Sequence, residues 1–124
     1  SPLERLIARC VPATTFAEAP AGLVINAVNL AHGTRVALSV HTTPQRSIRE
    51  AVYASCALPG LLPPASWAEG PHVDGGTLDN LGLTWATRAP DHPVVVCDVG
   101  TPEAIHGTPS WFRGLPDGLV TTLL

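Results

Sequence analysis

The residues best equipped for chemistry lie between Ala54 and Asn80. The run Ala54-Ser55-Cys56-Ala57-Leu58-Pro59-Gly60-Leu61-Leu62-Pro63-Pro64 is followed, after a short polar insert, by His72-Val73-Asp74-Gly75-Gly76-Thr77-Leu78-Asp79-Asn80. A carboxylate placed before two glycines suits a proton acceptor, because a tight turn can aim successive backbone N–H groups at its oxygens. Such bonds favour the ionised form, whereas burial opposes it. Gly75 and Gly76 are expected to take positive φ, letting the backbone reverse just after the strand that carries Asp74. On its own, Asp-Gly-Gly also describes a plain turn, with Asp initiating it and Gly supplying the backbone freedom.

Other reactive side chains offer weaker patterns. Ser55-Cys56 lacks the glycine flanks of a nucleophile elbow and reads as packing on a helix stripe. None of Ser1, Ser39, Ser47, Ser55, Ser66 and Ser110 has glycine two places to either side. His32, His41, His72, His92 and His106 show no H-x-x-x-H spacing and read as loop histidines, and Asp74 with His72 is too small a set for a metal. Cys10, Cys56 and Cys97 include no C-x-x-C pair, so they signal neither a disulfide framework nor zinc, and a reducing compartment follows as the default. One Gly75-Gly76…Asp79 copy cannot build a calcium-binding coil, and Asp79 reads instead as a helix cap. Trp67, Trp85 and Trp111 suit packing first, and an acyl pocket or membrane interface second.

Composition narrows the class. A chain of 124 residues supports one domain, and 45% hydrophobic with 14% charged residues is an apolar balance for so small a unit. That excess fits a piece of a larger core. All seven basic residues are Arg, scattered at 5, 9, 35, 46, 49, 88 and 113, and the net charge is −3. Without a basic cluster, nucleic acid is not an expected partner. No apolar run reaches the roughly 18 residues that a membrane span requires.

The elements that must position Asp74 follow from periodicity. Leu3, Leu6, Ile7 and Cys10 mark a short amphipathic helix stopped by Pro12. Leu23 to Leu30 is a nearly continuous apolar run broken by Asn26 and Asn29, the pattern of a strand covered on both faces. A turn at Gly33 leads to a paired strand from Arg35 to Val40. A helix then begins at Thr43-Pro44 or at a capping box over Ser47 to Glu50, with Ile48, Ala51, Val52, Ser55 and Cys56 on one stripe. It ends at Pro59-Gly60, and Pro63, Pro64 and Pro71 hold the next connection extended or turned. A helix over residues 81–88 follows a cap at Asp79 or Asn80. Pro93 to Val99, rich in valine, is the firmest strand expected, and residues 101–124 show no period and read as an irregular tail. Strands separated by helices imply an α/β sheet with helices on its faces.

The order of these features over about residues 1 to 100 resembles the patatin-like phospholipase family. In that family an Ala-Ser-x-Ala-x-Pro helix end precedes a short strand closed by Asp-Gly-Gly or Asp-Gly-Ala. The resemblance implies a fragment of a three-layer α/β/α sandwich in which Asp74 is the acid of a catalytic Ser-Asp dyad. It further implies a structural, turn-bonding role for Asn80, no metal or organic cofactor, and lipid or lysophospholipid esters as substrates. The expected setting is cytoplasmic, with peripheral membrane contact.

Two departures bear on activity. The family's Pro, two residues after the Asn, is Gly82 here, which is expected to loosen the following helix. The Gly-x-Ser-x-Gly elbow and the Gly-rich oxyanion loop do not occur, and the chain has no Met. Residues 1–124 therefore read as the C-terminal portion of one hydrolase domain, holding the base while an N-terminal portion holds the nucleophile, so that this portion alone is expected to be inactive. The alternative is a truncated or degenerate module that keeps the sheet for binding and has lost turnover.

Overall fold

The structure is a computed structural model that describes residues 1–20, 22–86 and 93–97. Helix α1 spans Pro2–Cys10 and opens on a capping box: Ser1 Oγ accepts the Glu4 N–H at 3.2 Å, while the Glu4 carboxylate accepts from the Ser1 nitrogen. Pro2 costs nothing there, because the first helical N–H has no partner to lose. At the other end, Arg49 Nε and Nη2 donate to Val11 O and Ala8 O, both at 2.8 Å. An arginine from the next helix thus satisfies carbonyls that the end of α1 leaves open.

Strands β1 (Val24–Asn29) and β2 (Thr34–Ser39) form the expected antiparallel hairpin, in register from Val24 opposite Ser39 to Asn29 opposite Thr34. Gly33, at φ +62°, makes the turn between them. Cover on β1 is uneven: Ala27, Val28 and Asn29 are buried, whereas Val24 is exposed. Buried Asn29 is bonded at both side-chain atoms, its Nδ2 donating to Glu69 O at 2.9 Å and its Oδ1 accepting the Ala31 N–H at 2.8 Å.

Helix α2 (Ile48–Cys56) begins after Ser47, whose side chain makes no cap bond, so neither the Thr43 start nor the capping box forms. Its buried residues are Ile48, Ala51 and Ala54. The stripe is thus turned from the expected one, with Ser55 half-buried and Cys56 exposed. Alanine decides the packing. Ala27, Ala51, Ala54 and Ala57 are all 0% exposed, and their short side chains let the helix lie close to β1 and β4.

The proline-bounded connection holds a strand that periodicity did not reveal, β3 (Ala65–Trp67), which pairs with β4 (Gly70–Asp74). The result is a four-stranded antiparallel sheet in the order β2-β1-β4-β3. The mixed helix-and-sheet architecture agrees with the expected α/β class. Arg46 fastens the β3–β4 hairpin to the loop before α2, its guanidinium 3.8 Å from the Trp67 ring centre and bonded to both Glu69 carboxylate oxygens. His72, expected in a loop, is instead buried on β4 with its ring 4.4 Å from that of Trp67.

Helix α3 (Leu83–Ala86) begins two residues later than expected, and residues 87 and 88 of the expected span lie outside the described residues. Pro93 to Cys97, expected as a strand, pairs with no strand among the described residues, and Val95 is 92% exposed. Valine-rich composition expresses a preference for a pleated, half-buried surface, which finds no partner ladder among the described residues; residues 98 and 99 of the expected strand lie outside them. The expected irregular tail over 101–124 and Trp111 lie outside the described residues.

Candidate active site

Asp74 is the last residue of β4, paired to Ala27 of the central strand β1. Its side chain turns back as a cap: Oδ1 accepts the Gly76 N–H at 2.7 Å, and its carbonyl accepts the Thr77 hydroxyl at 2.8 Å. Residues Gly75–Thr77 form a single tight helical turn, closed by the N–H groups of Leu78 and Asp79, which donate to Gly75 O at 3.1 and 2.9 Å.

The glycines act differently from expectation. Neither Gly75 nor Gly76 has positive φ. Gly75 is required by proximity, since a Cβ there would fall 2.5 Å from Asn26 Nδ2 and 2.7 Å from Asn26 O. At Gly76 a Cβ would meet Asn80 Oδ1 at 3.0 Å and Asp74 Oδ1 at 3.1 Å. The positive φ belongs to Gly82, at +62°, whose N–H donates to Asp79 Oδ1 at 2.9 Å. Proline supplies neither that backbone angle nor the donor, so Gly82 ties the entry to α3 where a loosened start was expected.

Asp74 faces a cleft of about 510 Å³ whose walls include Asn26 from β1, Ser55 from α2, the glycine turn, Leu81 and Trp85. Burial pushes the Asp74 carboxyl above the ordinary aspartate range, and the Gly76 N–H works against that rise. A carboxylate so placed is a stronger proton acceptor than one in water. Cys56 lies near enough to feel it: burial, and then the Asp74 charge, push its thiol up, although the residue as a whole is exposed. A thiol held protonated is a poor nucleophile.

Asn80 stands beside Gly76 but makes no side-chain hydrogen bond among the described residues. The turn is held by others. Asn26 Nδ2 donates to Asp79 O at 2.8 Å, and Arg35 bonds Asp79 Oδ2 at 3.3 Å and Thr84 Oγ1 at 2.7 Å. Trp85 Nε1 donates to Asn26 Oδ1 at 3.1 Å, which places one expected packing tryptophan in the cleft wall. The signal for Asn26 was present in the sequence as a polar residue interrupting an apolar strand. Ser55, read as packing, reaches the cleft because the buried stripe of α2 runs through Ala54.

No group of three or more His, Cys, Asp or Glu side chains suited to a metal occurs among the described residues. No helix among them is long and apolar enough to cross a membrane. Comparison with curated proteins and with solved structures returned no match. The model of the patatin-like phospholipase family matches residues 1–86, a span that contains every element bordering the cleft, from β1 to α3. The chain belongs to the patatin-like phospholipase family, a family of lipid acyl hydrolases.

Proposed function

We propose that this chain supplies the base of a lipid ester hydrolase. Asp74 takes the proton from a serine hydroxyl delivered by a part of the polypeptide outside these residues. One observation carries the reading: a half-buried carboxylate, held by the Gly76 N–H at 2.7 Å, opens onto a cleft walled by Trp85 and Leu81. The deprotonated serine oxygen attacks the ester carbonyl, and backbone N–H groups supplied with the serine hold the oxyanion. As the tetrahedral intermediate collapses, the alcohol leaves with the proton from Asp74, and the acyl group stays on the serine. Asp74 then takes a proton from water, whose oxygen attacks the acyl-enzyme; as the second tetrahedral intermediate collapses, the serine oxygen leaves with that proton from Asp74 and the fatty acid is released. No metal or cofactor enters these steps.

Apolar surface around the cleft supports a lipid substrate. Val24 and Leu81 border it, 51% and 41% exposed, and Leu78 after the glycine turn and Leu83 at the start of α3 are exposed as well. Such a rim suits acyl chains and peripheral contact with a lipid surface.

The pH dependence tests the assignment. Only ionised Asp74 accepts a proton, and its pKa is raised by burial. The acid limb of kcat/KM for lipid ester hydrolysis by the full-length protein is therefore expected above the ordinary aspartate range, with activity rising as Asp74 ionises. A flat profile through that range in the full-length protein rejects Asp74 as the base.

A further inference from the structure

Resting on that reading, we infer that Asn26 is the positioning residue of the site, seating the turn that aims Asp74 and the tryptophan wall that faces it. Its Nδ2 donates to Asp79 O at 2.8 Å, at the far end of the turn. At the near end, its side-chain amide and carbonyl press so closely on Gly75 that no Cβ fits between them. Gly75 O in turn accepts from Leu78 and Asp79, so both ends of one closed loop sit on a single side chain. Inside that loop lies Gly76, whose N–H holds Asp74 Oδ1. The remaining amide oxygen of Asn26 accepts the Trp85 indole N–H at 3.1 Å. One amide therefore joins three walls of the cleft: β1, the glycine turn and α3.

Asn26 makes no hydrogen bond to Asp74, and its amide donates to Asp79 O, so it works through the turn. A half-buried amide between a carbonyl acceptor and an indole donor uses both its functions, which no aliphatic side chain reproduces. When it is removed, Gly75 is no longer held and the Gly76 N–H drifts from the carboxylate. The groups facing Asp74 from its packed elements are Cys56 on α2, an uncharged Ala27 on β1 and the Gly76 N–H of its own turn. Loss of that N–H leaves burial unopposed.

The test uses Asn26→Ala and Asn26→Asp in the full-length protein, with circular dichroism to establish folding. The aspartate keeps the size and the acceptor for Trp85 but loses the donor to Asp79 O, so it carries the test if the alanine variant does not fold. Two readouts are taken: kcat and KM for a lipid ester, and the Asp74 carboxyl titration followed by carbon-13 NMR. Both variants are expected to lose about tenfold or more in kcat with KM little changed, as small misplacements of a reacting group do. The Asp74 titration is expected to move upward in Asn26→Ala; in Asn26→Asp the added carboxylate raises it by charge alone, so there the loss of kcat at unchanged KM decides. A folded variant with lowered Tm but wild-type kcat and, for Asn26→Ala, a wild-type Asp74 titration shows a merely structural asparagine and overturns the inference. The titration also separates the two proposals: if Asp74→Asn hydrolyses normally the functional reading fails, whereas an unmoved titration refutes the role of Asn26 alone.

Discussion

Asp74→Asn in the full-length protein is expected to lower kcat for lipid ester hydrolysis about a thousandfold, the scale of a lost general base, with little change in KM. The amide is nearly the same size, and its oxygen still accepts the Gly76 N–H, so the turn has no reason to rearrange. What disappears is the ability to take a proton. The same variant is not expected to be less stable at neutral pH. Folding raises the Asp74 pKa, chiefly through burial, so the stability linked to this group is fully present below its unfolded pKa and is lost as pH rises through the folded value. At neutral pH the ionised carboxylate therefore costs stability, and asparagine removes that cost. Thermal unfolding of both proteins on either side of that window checks the sign: wild type is expected to gain on acidification relative to the variant, leaving aside groups common to both. A variant that unfolds much more readily at neutral pH would show that its loss of activity reported damage to the fold.

Gly75→Ala carries the second large effect. The added methyl meets Asn26 Nδ2 at 2.5 Å, Cγ at 2.6 Å and the backbone oxygen at 2.7 Å. Side-chain rotation can relieve the first two contacts, but the third involves the paired central strand. A cost of about 3 kcal/mol is expected, at the upper end for overpacking a close contact, with kcat lowered about a hundredfold because the turn carrying the Gly76 N–H is displaced. Denaturant unfolding and hydrolysis measured on one preparation check both. Gly76→Ala, whose methyl meets side-chain oxygens at 3.0 and 3.1 Å, is expected to be milder on stability. Equal stability of Gly75→Ala and wild type would mean that the strand and turn are less closely apposed than described.

Much of this arrangement was legible before coordinates. Ser1-Pro2 marked the start of α1, the apolar runs around Gly33 marked the hairpin, and Asp74 was placed at a strand end, as observed. What periodicity could not supply were tertiary contacts. Gly75 is glycine because Asn26, far upstream, is pressed against it, and nothing local to Asp-Gly-Gly distinguishes that cause from a demand for positive φ. On α2, Ala54, Ser55 and Cys56 are all small, so hydrophobicity could not say which of them faces the sheet. β3 spans three residues after two prolines, too short to show alternation. The valines near residue 95 err the other way: a strong preference for strand meets no ladder among the described residues.

The most direct test is the rate at which a fluorophosphonate labels the nucleophilic serine of the full-length protein, measured against pH in wild type and in Asp74→Asn. Labelling requires proton removal from that hydroxyl but neither lipid binding nor deacylation. The wild-type rate should climb as Asp74 ionises, and the variant should label at least a hundredfold more slowly at every pH above that transition, the scale set by removing a general base. Equal labelling of the two proteins would contradict the assignment, because the hydroxyl would then be losing its proton to some other group.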